Sequence, residues 1–256
     1  MPDFIDTHAH IYLKDFKEDI GRIISESRDL GVRKILMPNI DLDSIDDMLA
    51  LESRFPQNCH AMMGLHPCSV KPGFENALYE VEKWLARRKF IAVGEMGIDL
   101  YWDKSYLEQQ KEAFTIQAGL AKKHQLPMVI HCRESFNETI GLVEKLNDGS
   151  LKGVFHCFTG TREEAGRVIR QGFYIGLGGV TTFKNAGMDK VVPFLDMDYV
   201  LLETDSPYLS PVPYRGKRNQ PGYIPLIAAR IAELRGTSIE EVAEKTTLNA
   251  ENLFEV

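Results

Sequence analysis

Short apolar segments alternate with amphipathic segments along the chain, and this alternation limits the fold more than any other feature of the sequence. We predict β-strands near residues 3–8, 33–38, 59–65, 90–95, 127–132, 153–157, 173–178 and 199–204. These segments are too continuously apolar for a sheet that has one face in water. The pattern therefore indicates parallel strands that are covered on both faces.

The segments between the strands carry apolar residues at helical spacing. We predict helices near residues 15–30, 43–54, 75–87, 105–124, 135–147, 161–171 and 187–195, then a helix near 224–235 and a helical C-terminal tail. Eight strands separated by helices predict an α/β fold of the (β/α)8 or TIM-barrel type. The length of 256 residues suits one such barrel, and no linker interrupts it, so we expect a single domain over residues 1–256.

Composition excludes some broad classes of protein. No apolar run reaches the length of a membrane span, and no export signal precedes the first predicted strand, so we expect a cytoplasmic protein with no membrane partner. Four cysteines form no CxxC pair, which is typical of reduced thiols. No coiled-coil pattern suggests an obligate protein partner.

The net charge bears on how the protein could contact nucleic acid. The chain carries 30 Lys and Arg against 37 Asp and Glu, a formal charge of −7. This argues against a broad basic face that coats duplex nucleic acid. It leaves open a nuclease that holds phosphates locally through metal ions.

Residues suited to metal binding stand at the downstream ends of five predicted strands. His8 and His10 are two positions apart in strand 1, so both imidazoles face one side and can reach the same cation. The other ends carry Glu95, His131, His156 and Asp205. The carboxyl ends of barrel strands form one rim, where catalytic groups lie. A lone strand histidine is usually a hydrogen-bonded core residue, but five such strand ends together favour a metal site.

The ligand count indicates two ions. Six ligands are too many for one tetrahedral zinc, but they suit two divalent ions about 3.5–4 Å apart that share a carboxylate and a water. We expect zinc, manganese or magnesium. Such a pair makes water nucleophilic, and Asp205 is the candidate general base that accepts the water's proton.

Strand alternation places further residues. If His131 and His156 face the barrel axis, Cys132 and Cys157 face the helices and act as small buried hydrophobes. The same rule points Asp6 inward beneath His8, and Glu203 inward beneath Asp205. Because strands 1 and 8 are neighbours, we expect these two carboxylates side by side, accepting imidazole N–H bonds or binding substrate through water. The alternative is a purely structural hydrogen-bond network.

Six blocks of sequence, in order, carry a family resemblance. They are Asp6-Thr7-His8-Ala9-His10, Gly64-Leu65-His66-Pro67, Gly94-Glu95-Met96-Gly97-Ile98-Asp99, His131-Cys132-Arg133, His156-Cys157-Phe158-Thr159-Gly160 and Glu203-Thr204-Asp205-Ser206-Pro207. Over essentially the whole chain the sequence resembles the TatD family of metal-dependent hydrolases, among the amidohydrolase-like barrels. The resemblance implies a TIM-type barrel, a two-metal site and deoxyribonuclease activity, often as a 3′-to-5′ exonuclease on single strands.

The resemblance also implies how the ligands divide. One ion would be held by His8, His10, Glu95 and Asp205, and the other by Glu95, His131 and His156. Two positions depart from the family pattern: Cys68 stands where many relatives have His, and Gln220 where Glu is common. Neither is a ligand, but both could alter substrate preference.

Other residues near the predicted rim are candidates for contacts with substrate. His66 could contact the scissile phosphate or donate a proton to the leaving oxygen, unless it is a hydrogen-bonded turn residue. Candidates for flanking phosphates are Arg133, Arg215, Lys217 and Arg218. Candidates for stacking on unpaired bases are Tyr101, Trp102 and Tyr208. Solvated loop charges and aromatic residues that pack on the rim are the alternative interpretations.

Three functions fit these features to different degrees. The first is a metal-dependent phosphodiesterase with single-stranded DNA as its partner and substrate, bound locally through phosphates. The second is an amidohydrolase, lactonase or phosphotriesterase-like hydrolase on a small molecule; many such relatives bridge their metals with a carbamylated lysine where this chain has Glu95. The third is a non-enzymatic binding protein, which a complete ligand set argues against. The sequence favours the nuclease.

Overall fold

Eight short parallel strands form the centre of the protein. The computed structural model describes residues 2–256. The strands are β1 (Phe4–Asp6), β2 (Val32–Met37), β3 (Cys59–Ala61), β4 (Val93–Asp99), β5 (Met128–Arg133), β6 (Gly153–Phe155), β7 (Tyr174–Leu177) and β8 (Val200–Leu202). Every ladder is parallel and joins neighbours in sequence, which confirms the predicted α/β fold with strands in TIM-barrel order.

The strands pair as two ladders, β1-β2-β3 and β4-β5-β6-β7-β8. Backbone hydrogen bonds at and just beyond the strand ends connect the two ladders on both sides. Met63 N–H donates to the Ala92 carbonyl at 3.2 Å, and Thr7 N–H donates to the Leu202 carbonyl at 3.0 Å. The ring is therefore held at two seams by a few backbone hydrogen bonds each, and by continuous ladders elsewhere.

Helices follow the strands as the sequence predicted, with one exception. They are α1 (Ile20–Asp29), α2 (Ile45–Arg54), α3 (Phe74–Arg87), α4 (Leu107–His124), α5 (Phe136–Leu146), α6 (Arg162–Arg170), α7 (Ile224–Arg235) and α8 (Ile239–Phe254). The helix predicted near 187–195 is wrong: short 3-10 turns span Met188–Lys190 and Val192–Phe194. Pro193 lacks the N–H that would continue an α-helix there. Among the described residues, no helix combines the length and apolar character that a bilayer crossing requires.

Apolar side chains fill the amino-terminal end of the ring. One buried cluster takes a residue from most of the strands and from the end of α8; it contains Ile5, Leu36, Met62, Ala92, Val129, Val154, Leu201, Ala250, Leu253 and Phe254. The Thr247 hydroxyl of α8 donates to the Asp3 carbonyl just before β1, so this helix covers the amino ends of the strands. Polar groups inside the ring are thereby restricted to its carboxyl end.

Gly97 allows β4 to pair closely with β5 beside a candidate ligand. It pairs with His131, and a Cβ at this position would overlap the His131 backbone carbonyl. We expect Gly97→Ala to lower the free energy of unfolding by about 1–3 kcal/mol or more, since overpacked cores must shift backbone. Urea denaturation monitored by circular dichroism measures it.

Gly119→Ala in α4 is the matched control. A Cβ at Gly119 meets no atom within 4 Å, and the residue is exposed. Because alanine has the higher helix propensity, this variant should gain up to about 1 kcal/mol. Equal stabilities for the two variants would contradict the role given to Gly97.

Candidate metal centre

The buried carboxylate of Glu95 lies at the centre of the imidazoles. Its Oε1 is 2.8 Å from His131 Nδ1 and 2.8 Å from His156 Nε2. Its Oε2 is 3.1 Å from His8 Nε2 and 3.4 Å from His10 Nε2. The two oxygens of one side chain thus face two different pairs of histidines. This is the arrangement expected of a carboxylate that bridges two cations.

Asp205 joins the pair formed by His8 and His10. Its Oδ1 lies 3.8 Å from His8 Nε2 and 3.6 Å from His10 Nε2. Asp205 stands just beyond β8 with φ of 56°, a left-handed conformation that aspartate tolerates better than most residues. Burial raises the pKa of its carboxyl to about 6. The six predicted ligands therefore meet in one place, although their strands are far apart in sequence.

These side chains fit divalent cations by the chemistry of their donor atoms. Within the cluster, His8 Nε2 and His10 Nε2 are 3.2 Å apart, and the rings of His8 and His156 stack with centroids 3.8 Å apart. Two overlapping groups of predicted ligands bring their ligand atoms within 4.8 Å of one another: His8, His156 and Asp205; and His8, His10 and Glu95. A third group at this spacing combines Glu95 and His131 with His66. Because neighbouring imidazole lone pairs repel unless a cation or proton lies between them, the cluster suits metal ions.

Tyr12 fixes the tautomer of His10, and the sequence analysis missed it. The Tyr12 hydroxyl donates to the Pro38 carbonyl at 2.6 Å, so its oxygen accepts from His10 Nδ1 at 3.0 Å. With its proton on Nδ1, the His10 ring presents the Nε2 lone pair to the site. Tyr12 follows β1 in a loop, where no periodicity marks it.

Asp99 orients His131 in the same way and was also missed. Its Oδ2 is 2.9 Å from His131 Nε2, which leaves Nδ1 facing Glu95. Burial alone would raise the pKa of Asp99, but hydrogen bonds from His131 and from the backbone N–H of Trp102 and Tyr101 lower it to about 2. Asp99 lies four residues after Glu95 in β4, so strand alternation could have placed it on the same face.

The imidazole contact predicted for Asp6 is absent, and its contacts are those of the structural hydrogen-bond network given as the alternative. Its carboxylate accepts no imidazole N–H; it accepts the backbone N–H and hydroxyl of Thr204, and the N–H of His8 at 3.3 Å. Ile5 already occupies the ring interior, so alternation directs Asp6 to the other side. Burial raises the pKa of Asp6 to about 8. Asp6 connects β1 to β8 near the metal centre rather than supporting a ligand ring.

Glu203 is fully buried beneath the centre, as strand alternation predicted, so it could act on substrate only through water. Its Oε1 accepts the N–H of Cys157 and lies 3.5 Å from His156 Nδ1. A Cβ at Gly176 would overlap the other carboxylate oxygen, so glycine is needed there. Glu203 therefore supports the loop that carries His156.

The two cysteines that follow ligand histidines differ. Cys132 packs against the core and lies 3.7 Å from the Ser135 hydroxyl, as predicted. Cys157 does not follow the rule, because β6 ends at Phe155 and Cys157 has φ of 48°. Burial, together with the negative charges of Asp205 and Glu203, raises the pKa of the Cys157 thiol. Strand alternation therefore does not determine the orientation of this side chain, whose backbone N–H donates to Glu203.

His66 faces the cluster as a hydrogen-bond donor. Its Nδ1 accepts the N–H of Cys68 at 3.0 Å, so the proton of the neutral ring is on Nε2. That nitrogen is 3.3 Å from His131 Nδ1 and 3.4 Å from Glu95 Oε1. Burial lowers the pKa of His66, which keeps the ring neutral. An N–H, and not a lone pair, therefore points at the site.

The remaining predicted residues lie at the rim with different contacts. Tyr208 is exposed, with its ring centroid 6.4 Å from that of His10. Arg133 and Arg215 are exposed and stack on aromatic rings, Arg215 at 3.5 Å from the Phe183 centroid. Arg218 is held by Asp19, with Nη2 and Oδ2 2.6 Å apart. Arg218 therefore anchors its loop and is a poor candidate for phosphate.

The ring scaffold and its cluster of imidazoles and carboxylates define a metal-dependent hydrolase. The model of the family described as TatD related DNase matches residues 5–255. A Bacillus subtilis protein named "Uncharacterized metal-dependent hydrolase YabD" is 36% identical over 252 residues, covering 98% of each chain. The chain therefore belongs to the TatD family, as its motifs predicted.

Two further relatives support this assignment. A protein of Erwinia tasmaniensis named "3′-5′ ssDNA/RNA exonuclease TatD" is 31% identical over 255 residues, covering 97% of this chain and 98% of its own. The crystal structure of YjjV, a TatD homologue of Escherichia coli K12, superposes with a TM-score of 0.93 at 30% identity. That match covers 99% of this chain and 98% of YjjV.

Asp99→Asn tests whether the hydrogen bond to His131 tunes metal binding. The amide keeps the shape but loses the charge that favours His131 Nε2–H, so we expect metal affinity to fall by about 10- to 100-fold. Isothermal titration with Mn²⁺ and Zn²⁺ after chelator treatment measures this. Asp103→Asn is the control, because that exposed carboxylate bonds only to Ser105 in the same loop. Equal metal affinity in the two variants would contradict a role for Asp99 in metal binding.

Proposed function

We propose that the chain is a metal-dependent nuclease that hydrolyses phosphodiester bonds of single-stranded DNA from the 3′ end, with two divalent cations at the Glu95 cluster. One observation supports this most strongly: the two oxygens of Glu95 face separate pairs of imidazoles. Paired cations are suited to phosphodiester cleavage, since both the attacking and the leaving oxygen carry developing charge. The relative from Erwinia tasmaniensis bears the name of such an exonuclease.

Asp205 is the residue we assign to proton acceptance. When bound, divalent cations would make water more acidic and offset negative charge on the phosphodiester. The Asp205 carboxylate is 15% exposed, whereas that of Glu95 is 2% exposed, so Asp205 is the more accessible to water. It takes one proton from the attacking water while the new O–P bond forms and the bond to the leaving oxygen breaks.

His66 is the residue we assign to the leaving group or a non-bridging oxygen. The hydrogen bond from Cys68 holds its Nε2–H toward the centre without a full positive charge. A neutral donor stabilises charge on an oxygen by hydrogen bonding, and it keeps its own proton unless the pKa values match. This favours hydrogen bonding over proton transfer, which were the two roles left open by the sequence.

The overall charge agrees with local phosphate binding. The chain is acidic, at −7, so affinity for a nucleic acid must come from the metal centre and a few rim residues. Tyr208, Arg133 and Arg215 are exposed at the rim and available for this. A single strand can enter such a site because its bases and phosphates are accessible from all sides.

His131→Ala tests the function directly. Loss of a ligand should lower Mn²⁺-dependent cleavage of a 5′-labelled single strand by more than about 100-fold. This is a larger loss than expected for a residue that only hydrogen-bonds a ligand. Shortening from the 3′ end, followed by gel electrophoresis, is the expected pattern for the parent protein. His124→Ala, at the end of α4, is the control and should cleave normally.

Assays on RNA and on a lactone and phosphotriester panel separate the alternatives. Turnover of a small ester or lactone with no cleavage of either nucleic acid would replace the nuclease by a small-molecule hydrolase. Unchanged cleavage by His131→Ala would remove the Glu95 cluster from the reaction.

A further inference from the structure

Three exposed side chains form a cluster at the rim, which we call the rim platform: Tyr101, Trp102 and Arg133. The two rings meet edge to face with centroids 4.9 Å apart. The Arg133 guanidinium carbon lies 3.8 Å from the Tyr101 centroid and 5.4 Å from that of Trp102. Trp102 nevertheless remains 70% exposed and Tyr101 49% exposed. Contiguous apolar surface that is left exposed to water can mark a binding site.

The platform is attached to the metal centre through one side chain. Asp99 Oδ1 accepts the backbone N–H groups of Tyr101 and Trp102 at 3.0 and 3.1 Å. The other oxygen of the same carboxylate bonds His131 Nε2 at 2.9 Å. The backbone of Asp99 is also opposite that of Arg133 in the β4–β5 ladder, so the two residues are neighbours without an ion pair between their side chains. The backbone that carries both rings is therefore anchored to the carboxylate that contacts a predicted metal ligand.

We propose that the rim platform binds one unpaired nucleobase and its phosphate, with the base stacked on Trp102 and the phosphate beside Arg133. This deepens the proposed nuclease function and rests on it for the identity of the ligand. The occupant must present a flat ring and a negative charge to a metal centre that suits phosphodiesters, which describes a nucleotide. Stacking on an aromatic ring accepts any base but requires that the base be unpaired.

Arg133 is placed to serve both partners. Its guanidinium lies over the Tyr101 ring, which orients the planar group. In the part of the chain that the structure describes, no carboxylate pairs with it, whereas Arg218 is paired with Asp19. Its N–H groups can therefore bind a phosphate, for which the guanidinium fork is well shaped.

Tryptophan fluorescence tests the platform without relying on catalysis. The chain has two tryptophans, Trp84 and Trp102, so Trp84→Phe leaves Trp102 as the single reporter. Trp102→Phe leaves only Trp84, which lies in α3 beneath Arg87 and outside the platform, so this variant is the control. A phosphorothioate-linked thymidine oligonucleotide, which is cleaved slowly, is titrated into the metal-loaded variants. We expect quenching in Trp84→Phe and none in Trp102→Phe.

Abasic substitution locates the stacked base. With one abasic nucleotide moved along the oligonucleotide, quenching should disappear at a single position. Trp102→Ala should lower kcat/KM on the unmodified strand by about ten-fold or more, the loss expected for one stacked base. Trp102→Phe should restore most of it and stay sensitive to the abasic nucleotide at that position, whereas Trp102→Ala should not respond to it.

Tyr79→Ala is the matched control for an exposed ring. Tyr79 is 62% exposed on α3, with Lys83 Nζ 5.2 Å from its centroid, and it should not affect kcat/KM. Cleavage of the oligonucleotide without Trp102 quenching would overturn the platform and leave the nuclease intact. Quenching without cleavage would support the platform and overturn the nuclease, and the protein would then bind single strands without cutting them. Neither quenching nor cleavage would overturn both proposals.

Discussion

A buried carboxylate surrounded by imidazoles is the interaction on which the arrangement of the site depends. Glu95 is almost completely removed from water, and a buried charge is unfavourable unless it is paired. Its own strand cannot provide the partners, so they come from β5, the segments just beyond β1 and β6, and the loop after β3. A cation on either side would satisfy both the carboxylate and the crowded ring nitrogens.

The ring scaffold brings these side chains together on rigid strands, so little conformational freedom has to be lost when they meet. Apolar side chains and the end of α8 fill its amino-terminal end, so the polar groups occupy only the carboxyl end. Outer partners then fix the direction of individual rings: Tyr12 for His10, Asp99 for His131 and Glu203 for the loop of His156. Such partners preorganise a metal site, because each ring presents one defined nitrogen. Asp99 also holds the backbone of Tyr101 and Trp102 in place by accepting their N–H groups.

Much of this could be predicted from the sequence, because it follows from periodicity and from the rule that barrel strands end at one rim. The strands and the meeting of the six ligand candidates required nothing more, whereas the family was predicted from the resemblance of six sequence blocks. Predictions failed where regular alternation stops. Cys157 comes after β6 has ended, Asp6 lies beyond a register shift between Phe4 and Ile5, and Pro193 interrupts a helical pattern. Tyr12 lies in a loop, so only tertiary contacts reveal its role.

Anomalous X-ray scattering from crystals soaked in Mn²⁺ is the most direct measurement of the paired-cation centre. Two peaks about 3.5–4 Å apart are expected, one on each side of the Glu95 carboxylate. One should be closest to His8, His10 and Asp205, and the other closest to His131 and His156. No peak there, or a single peak that all six side chains share, would contradict the bridging role of Glu95.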